Sequence, residues 1–231
     1  MEVAEVILAI LVLGFALGFL VRHLSLVRER EAKEYLRDII GSFAKVHVPP
    51  YRYTLVQYHH EIFKNGDEHV KRTYRISALD HPLSWIKIRM GASADAALSD
   101  MNLRAHRVRG DISTHCATAL YENTPRKKRA LVIFPNPLPP GKEEEIRVEY
   151  TWPKAWRDLV VNMEDTAWYN IDTDIELLEV EITLPKELMI EKIWAEPQIG
   201  EIILKTDRVA LWTAQKPPHN LYRLCITAKN R

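Results

Sequence analysis

Glu145-Ile146-Arg147-Val148-Glu149-Tyr150-Thr151-Trp152 alternates a polar with an apolar side chain at every step. Successive side chains of a strand point to opposite faces, so this period of two places Ile146, Val148, Tyr150 and Trp152 on a buried face and their neighbours on a solvated one. Leu178, Val180, Ile182 and Leu184 alternate in the same way with Glu179, Glu181 and Thr183, as do Tyr222, Leu224 and Ile226 near the C-terminus. Outward from these, strand-like runs cover 51–63, 69–79, 83–90, 102–108, 117–121, 130–134, 190–194, 201–205 and 209–213. Asn65-Gly66-Asp67 reads as a hairpin turn between two long strands, and His81-Pro82, Pro135-Asn136-Pro137, Pro139-Pro140-Gly141 and Lys216-Pro217-Pro218 read as further turns. Residues 95–100 and 156–165 are the candidates for short helices or long loops.

About a dozen short strands with little helix predict a mainly β domain over 51–231, two packed sheets in a β-sandwich. The phrase from Phe134 to Trp152, a proline-glycine turn feeding an alternating strand, resembles a device of immunoglobulin-like sandwiches and implies that architecture.

Before Pro49-Pro50 the period changes. Val6 to Val21 contains no charged or polar side chain. Sixteen helical residues rise about 24 Å, and Val3, Ala4, Leu24 and Leu26 extend the span toward the ~30 Å of a bilayer core. The acidic start Met1-Glu2-Val3-Ala4-Glu5 and the bulky end Phe19-Leu20-Val21 argue for an anchor over 1–22 rather than a cleaved signal peptide. Glu2 and Glu5 precede the span while Arg22, Arg28, Arg30 and Lys33 follow it, which predicts the N-terminus outside and the main domain in the cytoplasm. Residues 3–22 would thus contact lipid. Gly14 and Gly18 form a GxxxG strip that would let a second copy approach and form a homo-oligomer. Residues 23–50 read as a helical stalk with i,i+4 pairs such as Glu29 with Lys33, and with an apolar face of Leu36, Ile39, Ile40 and Phe43.

Lys and Arg number 32 against 31 Asp and Glu, so the overall charge gives no argument for nucleic acid. Two cysteines, Cys116 and Cys225, make no disulfide framework and suit buried thiols in a reducing compartment. No GxSxG, GxGxxG, P-loop, HExxH or CxxC occurs, and no cofactor is implied. His59, His60 and His69 flank the predicted hairpin, but adjacent strand residues face apart, so at most one of His59 and His60 could join His69 on a metal. The same geometry separates Cys116 from His115.

Two basic clusters are the candidate contact sites. Arg104, Arg107 and Arg109 crowd one strand, with His106 among them, and Arg126, Lys127, Lys128 and Arg129 form the densest run, at a predicted turn. Four charges at a turn are expected to face water, anionic lipid or an anionic ligand, because a buried unpaired charge costs several kcal/mol. The leading expectation is a non-enzymatic membrane-tethered module that binds a partner protein or ligand. A membrane helix followed by a β-rich domain is also similar in plan to membrane-anchored effectors of bacterial antiviral signalling, which implies ligand-driven clustering that perturbs the bilayer. An enzyme built from dispersed residues is the third reading.

Overall fold

The computed structural model describes residues 51–231; the anchor, the stalk, Gly14 and Gly18 lie outside them. The described chain is mainly β, with fourteen strands in three sheets. The large sheet runs in the order β12 (Glu201–Leu204), β13 (Val209–Gln215), β10 (Leu177–Thr183), β1 (Tyr51–Ile62), β2 (Glu68–Ala78), β8 (Glu143–Trp152), β4 (Arg104–Arg109) and β5 (Ile112–His115). One small sheet is β3 (Leu83–Gly91), β7 (Lys127–Leu138) and β6 (Ala117–Thr124). The other is β11 (Leu188–Glu196), β14 (Asn220–Asn230) and β9 (Glu164–Ile171). Two short helices, α1 (Leu98–Met101) and α2 (Arg157–Asn162), interrupt them. No helix among the described residues is long and apolar enough to cross a membrane.

The alternation of residues 145–152 holds in β8: Ile146, Val148, Tyr150 and Trp152 are all buried. Their partners across the ladder, Tyr74, Arg72, Val70 and Glu68 of β2, are buried as well. The same face continues through Val56 of β1, through Leu178, Val180 and Ile182 of β10, and into Trp212 of β13. One buried cluster draws on all three sheets, so the two small sheets share the core face of the large one. The opposite face is solvated and carries cross-strand pairs such as His59 with Glu181 and Lys205 with Glu181.

Gly66 sits in the β1–β2 hairpin at φ +82°, a conformation that favours glycine, and its carbonyl accepts from the N–H of Trp156 at 2.9 Å. That bond brings the segment before α2 onto the end of the large sheet. β1 and β10 pair in parallel, Val56 opposite Leu178 to Glu61 opposite Thr183, whereas the other named pairings are antiparallel.

Three expectations need correction. Pro135-Asn136-Pro137 is not a turn: both prolines lie within β7. They fall beyond the last β6 partner, Ile133, and opposite the irregular register between Leu83 and Trp85, where the missing N–H groups break no ladder. The basic run is not wholly a turn, since Lys127, Lys128 and Arg129 lie on β7. Strands β5 and β9 belong to no predicted run.

Candidate functional site: a cleft between the two small sheets

β3 and β9 are each the last strand of their small sheet, and they flank a cleft whose floor is the core face of β1, β2 and β8. The larger chamber measures about 720 Å³ and a second of about 370 Å³ continues it; the two share Tyr58, Arg72, Arg89 and Asn170. Ligand sites commonly fall within such volumes.

The floor is unusual for a sheet core. Alternation along β2 sends Glu68 and Arg72 inward together with Val70, Tyr74 and Ile76, and alternation along β1 sends His60 inward. Glu68 can only accept. It takes His60 Nδ1–H at 2.6 Å and Trp156 Nε1–H at 2.5 Å, which leaves His60 Nε2 facing Tyr169 OH at 3.0 Å. Burial alone would raise the Glu68 carboxyl, but the His60 ring, Trp156 and the Arg72 charge outweigh it and hold the group below its ordinary value. The Tyr169 phenol is pushed well up by burial, with Glu68 adding to the shift, so it stays neutral. Both His60 nitrogens and the carboxylate are occupied within the fold.

Arg72 lies between the Tyr58 and Tyr150 rings, 4.8 and 5.0 Å from their centroids. Its Nη groups donate to the Arg89 carbonyl and to the Tyr150 and Tyr74 hydroxyls. Its Nε is buried with no hydrogen-bond partner among the described residues. Burial pushes the Tyr58 and Tyr150 phenols upward despite the neighbouring guanidinium, so neither supplies a negative charge. Arg72 therefore carries an incompletely satisfied charge to the point where the chambers meet.

The walls are basic. Arg126, Lys127 and Arg129 line the larger chamber with Arg89, while Lys128 does not. Lys128 is buried on the other side, its ammonium donating to the carbonyls of Ala96, Pro125 and Thr124 and lying 5.6 Å from the Trp152 ring. The carboxylates that pair with the wall cations, Asp95 with Arg126 and Glu122 with Lys127 and Arg129, do not line the cleft. Arg89 meets Asp172 at 2.6 Å, an ion pair from β3 to the residue just beyond β9. Trp168, more than half exposed, stands with Leu221 at the mouth.

The second basic cluster is elsewhere. Arg104 is exposed opposite Glu149, and Arg107 is buried on Glu144 and on the Asn136 carbonyl. Arg109 reaches the same Glu144 from solvent, and none of the three lines the cleft. His59 and His60 do face apart, and the described residues bring together no group of three metal-ligating side chains. Burial pushes the thiol of Cys116 up, which disfavours the thiolate, and both cysteines are free and buried. Of the residues singled out in the sequence, the cleft lining takes in Arg126, Lys127 and Arg129; Glu68, Arg72, Arg89, Tyr150, Trp156 and Tyr169 were not among them. Charged residues at the inward parity of β2 were the available signal.

This is a multi-sheet β domain with a basic, aromatic-floored cleft. No protein-family model and no curated protein matches the chain. Solved structures similar to it include an M1 zinc metallopeptidase from Deinococcus radiodurans, with 14% identity and TM-score 0.44 over 76% of this chain and 42% of that one. A proposed protease from Parabacteroides distasonis aligns with 11% identity and TM-score 0.47 over 77% of this chain and 40% of that one. The chain thus spans less than half the length of either.

Proposed function

We propose that this chain is a membrane-tethered binding module: residues 1–22 anchor it, and the β domain on the cytoplasmic side captures a ligand or partner segment in the cleft between β3 and β9. The observation that carries this reading is the place of Arg72, a buried guanidinium where the two chambers meet, with its Nε unpartnered among the described residues. Arg107 shares the unpartnered Nε but sits on the Glu144 carboxylate outside the cleft. A structural arginine in a sheet core is ordinarily paired, because a buried charge costs several kcal/mol otherwise. On this reading the buried Glu68–His60–Tyr169 line, hydrogen-bonded end to end, holds the floor in shape. The sandwich is immunoglobulin-like, on this reading, in its layering and not in its strand count.

The test uses the full-length chain labelled with 5-fluorotryptophan. Trp156 and Trp168 line the cleft; Trp85, Trp152, Trp194 and Trp212 do not. Small organic acids, amines and neutral fragments are titrated while all six fluorine resonances are followed. Shifts confined to Trp156 and Trp168 are expected from at least some acids. If no fragment moves either resonance, the cleft is not a ligand site.

A further inference from the structure

Resting on that reading, we infer that the cleft is a vacant strand position, and that its occupant is an extended acidic peptide pairing with the free edge of β9. Six consecutive residues of β9, Asp165 to Asn170, line the larger chamber. A strand seen from one face would contribute only alternate residues, so the chamber runs along the edge itself. β3 presents Arg89, Met90 and Gly91 to the same chamber in the same consecutive way. The two small sheets thus turn edges toward each other across a groove, over the shared floor.

The two edges are not equivalent. On β3 the Arg89 carbonyl is already taken by Arg72. β9 is hydrogen-bonded to β14 on one side, with no second strand among the described residues on the other. Thr166 N–H turns to Asp165 Oδ1 at 2.7 Å, away from β14. Alternation along an antiparallel strand then leaves the main-chain groups of Trp168 and Asn170 directed into the groove. Those groups are what a docking strand pairs with, as in other cases of β-strand addition.

Charge selects the chemistry of the strand. Across the two chambers six cationic side chains, Lys87, Arg72, Arg89, Arg126, Lys127 and Arg129, face three carboxylates, Glu68, Asp165 and Asp172. Asp95 and Glu122 pair with Arg126, Lys127 and Arg129 from outside the cleft and leave the lining itself cationic. Asp172 already bridges the groove to Arg89. An acidic side chain on an entering strand would take that place, so the Arg89–Asp172 pair acts as a latch that the ligand displaces. A peptide with carboxylates on alternate residues sets them toward Arg89, Arg126 and Arg129 while its backbone meets β9.

The experiment measures fluorescence anisotropy of a fluorescein-labelled heptapeptide of alternating glutamate and valine, added to the full-length chain in detergent. Saturable binding is expected. It should weaken at least tenfold when alternate peptide nitrogens are methylated in one of the two possible registers, and vanish when lysine replaces glutamate. Asp172→Asn should tighten binding severalfold, and Arg89→Gln should loosen it tenfold or more. Because the backbone change is made in the peptide, folding of the protein does not confound the result. No saturable binding, or equal binding by both methylated peptides, overturns the strand proposal. If inorganic phosphate moves the Trp156 and Trp168 resonances and the peptide does not, the groove is a small-anion site. The strand proposal then falls while the ligand-cleft reading stands. If neither probe nor any fragment moves them, both fall.

Discussion

Lys128 shows how a residue's sequence neighbours can mislead. Four consecutive basic side chains suggest one exposed patch, yet strand alternation turns Lys128 into the core while Lys127 and Arg129 stay on the cleft side. Carbonyls of Ala96, Thr124 and Pro125 replace its water. Lys128→Met keeps the volume and strips those carbonyls of their donor, so it should cost about 1–3 kcal/mol. The midpoint of urea unfolding reads this; an unchanged midpoint would mean that the ammonium does not hold the β6–β7 turn to the segment before α1. Glu68 gives a pH prediction. Its carboxyl is depressed in the folded state, so its contribution is present above the ordinary value of 4.5 and is lost as pH falls through the lower folded value. Glu68→Gln should lower stability at pH 7 and flatten its decline below about pH 4.5. An equally steep acid limb in the variant would assign that limb to other carboxylates, with Glu144 on Arg107 and Arg109 the first to examine.

Elements were legible where packing is one-sided. β8, β10 and the end of β14 have one wet and one dry face, and the period of two is plain in their residues. β9 was missed because Trp168, at an outward position, breaks the alternation of Ala167, Tyr169 and Ile171. β5 was missed because all four of its residues are exposed. The floor of the cleft was missed for the opposite reason: Glu68 and Arg72 occupy inward positions where a pattern search expects apolar residues. Backbone demands at the sheet edge are equally specific. Gly200 has φ +70°, and a Cβ there would lie 1.9 Å from the Thr213 carbonyl oxygen. Gly200→Ala should therefore push β12 off β13 and cost at least about 1–3 kcal/mol. Amide exchange at Ile203 and Leu211, which face each other across the β12–β13 ladder, should quicken in the variant, and unchanged protection there would show that the edge absorbs the methyl group.

For the whole molecule, the sequence pointed to a mainly β domain of two packed sheets where the described residues form three, because long-range pairing leaves no local periodicity. Nothing near Val56 announces Leu178. The proposed topology has its own measurement: protease added outside intact cells should leave residues 51–231 whole, and their digestion from outside would reverse the assigned orientation.

The parallel pairing of β1 with β10 also sets a schedule for synthesis. Gln57 and its partner Glu179 are 122 residues apart. At ribosomal rates of about 5–20 residues per second, β1 waits roughly 6–24 s after emerging before β10 exists. During that interval the β1–β2 hairpin can close while the far edge of β1 stays open to any passing strand. The nascent chain is thus most exposed to misassembly midway through translation, when a holdase that shields strand edges would have the greatest effect on yield.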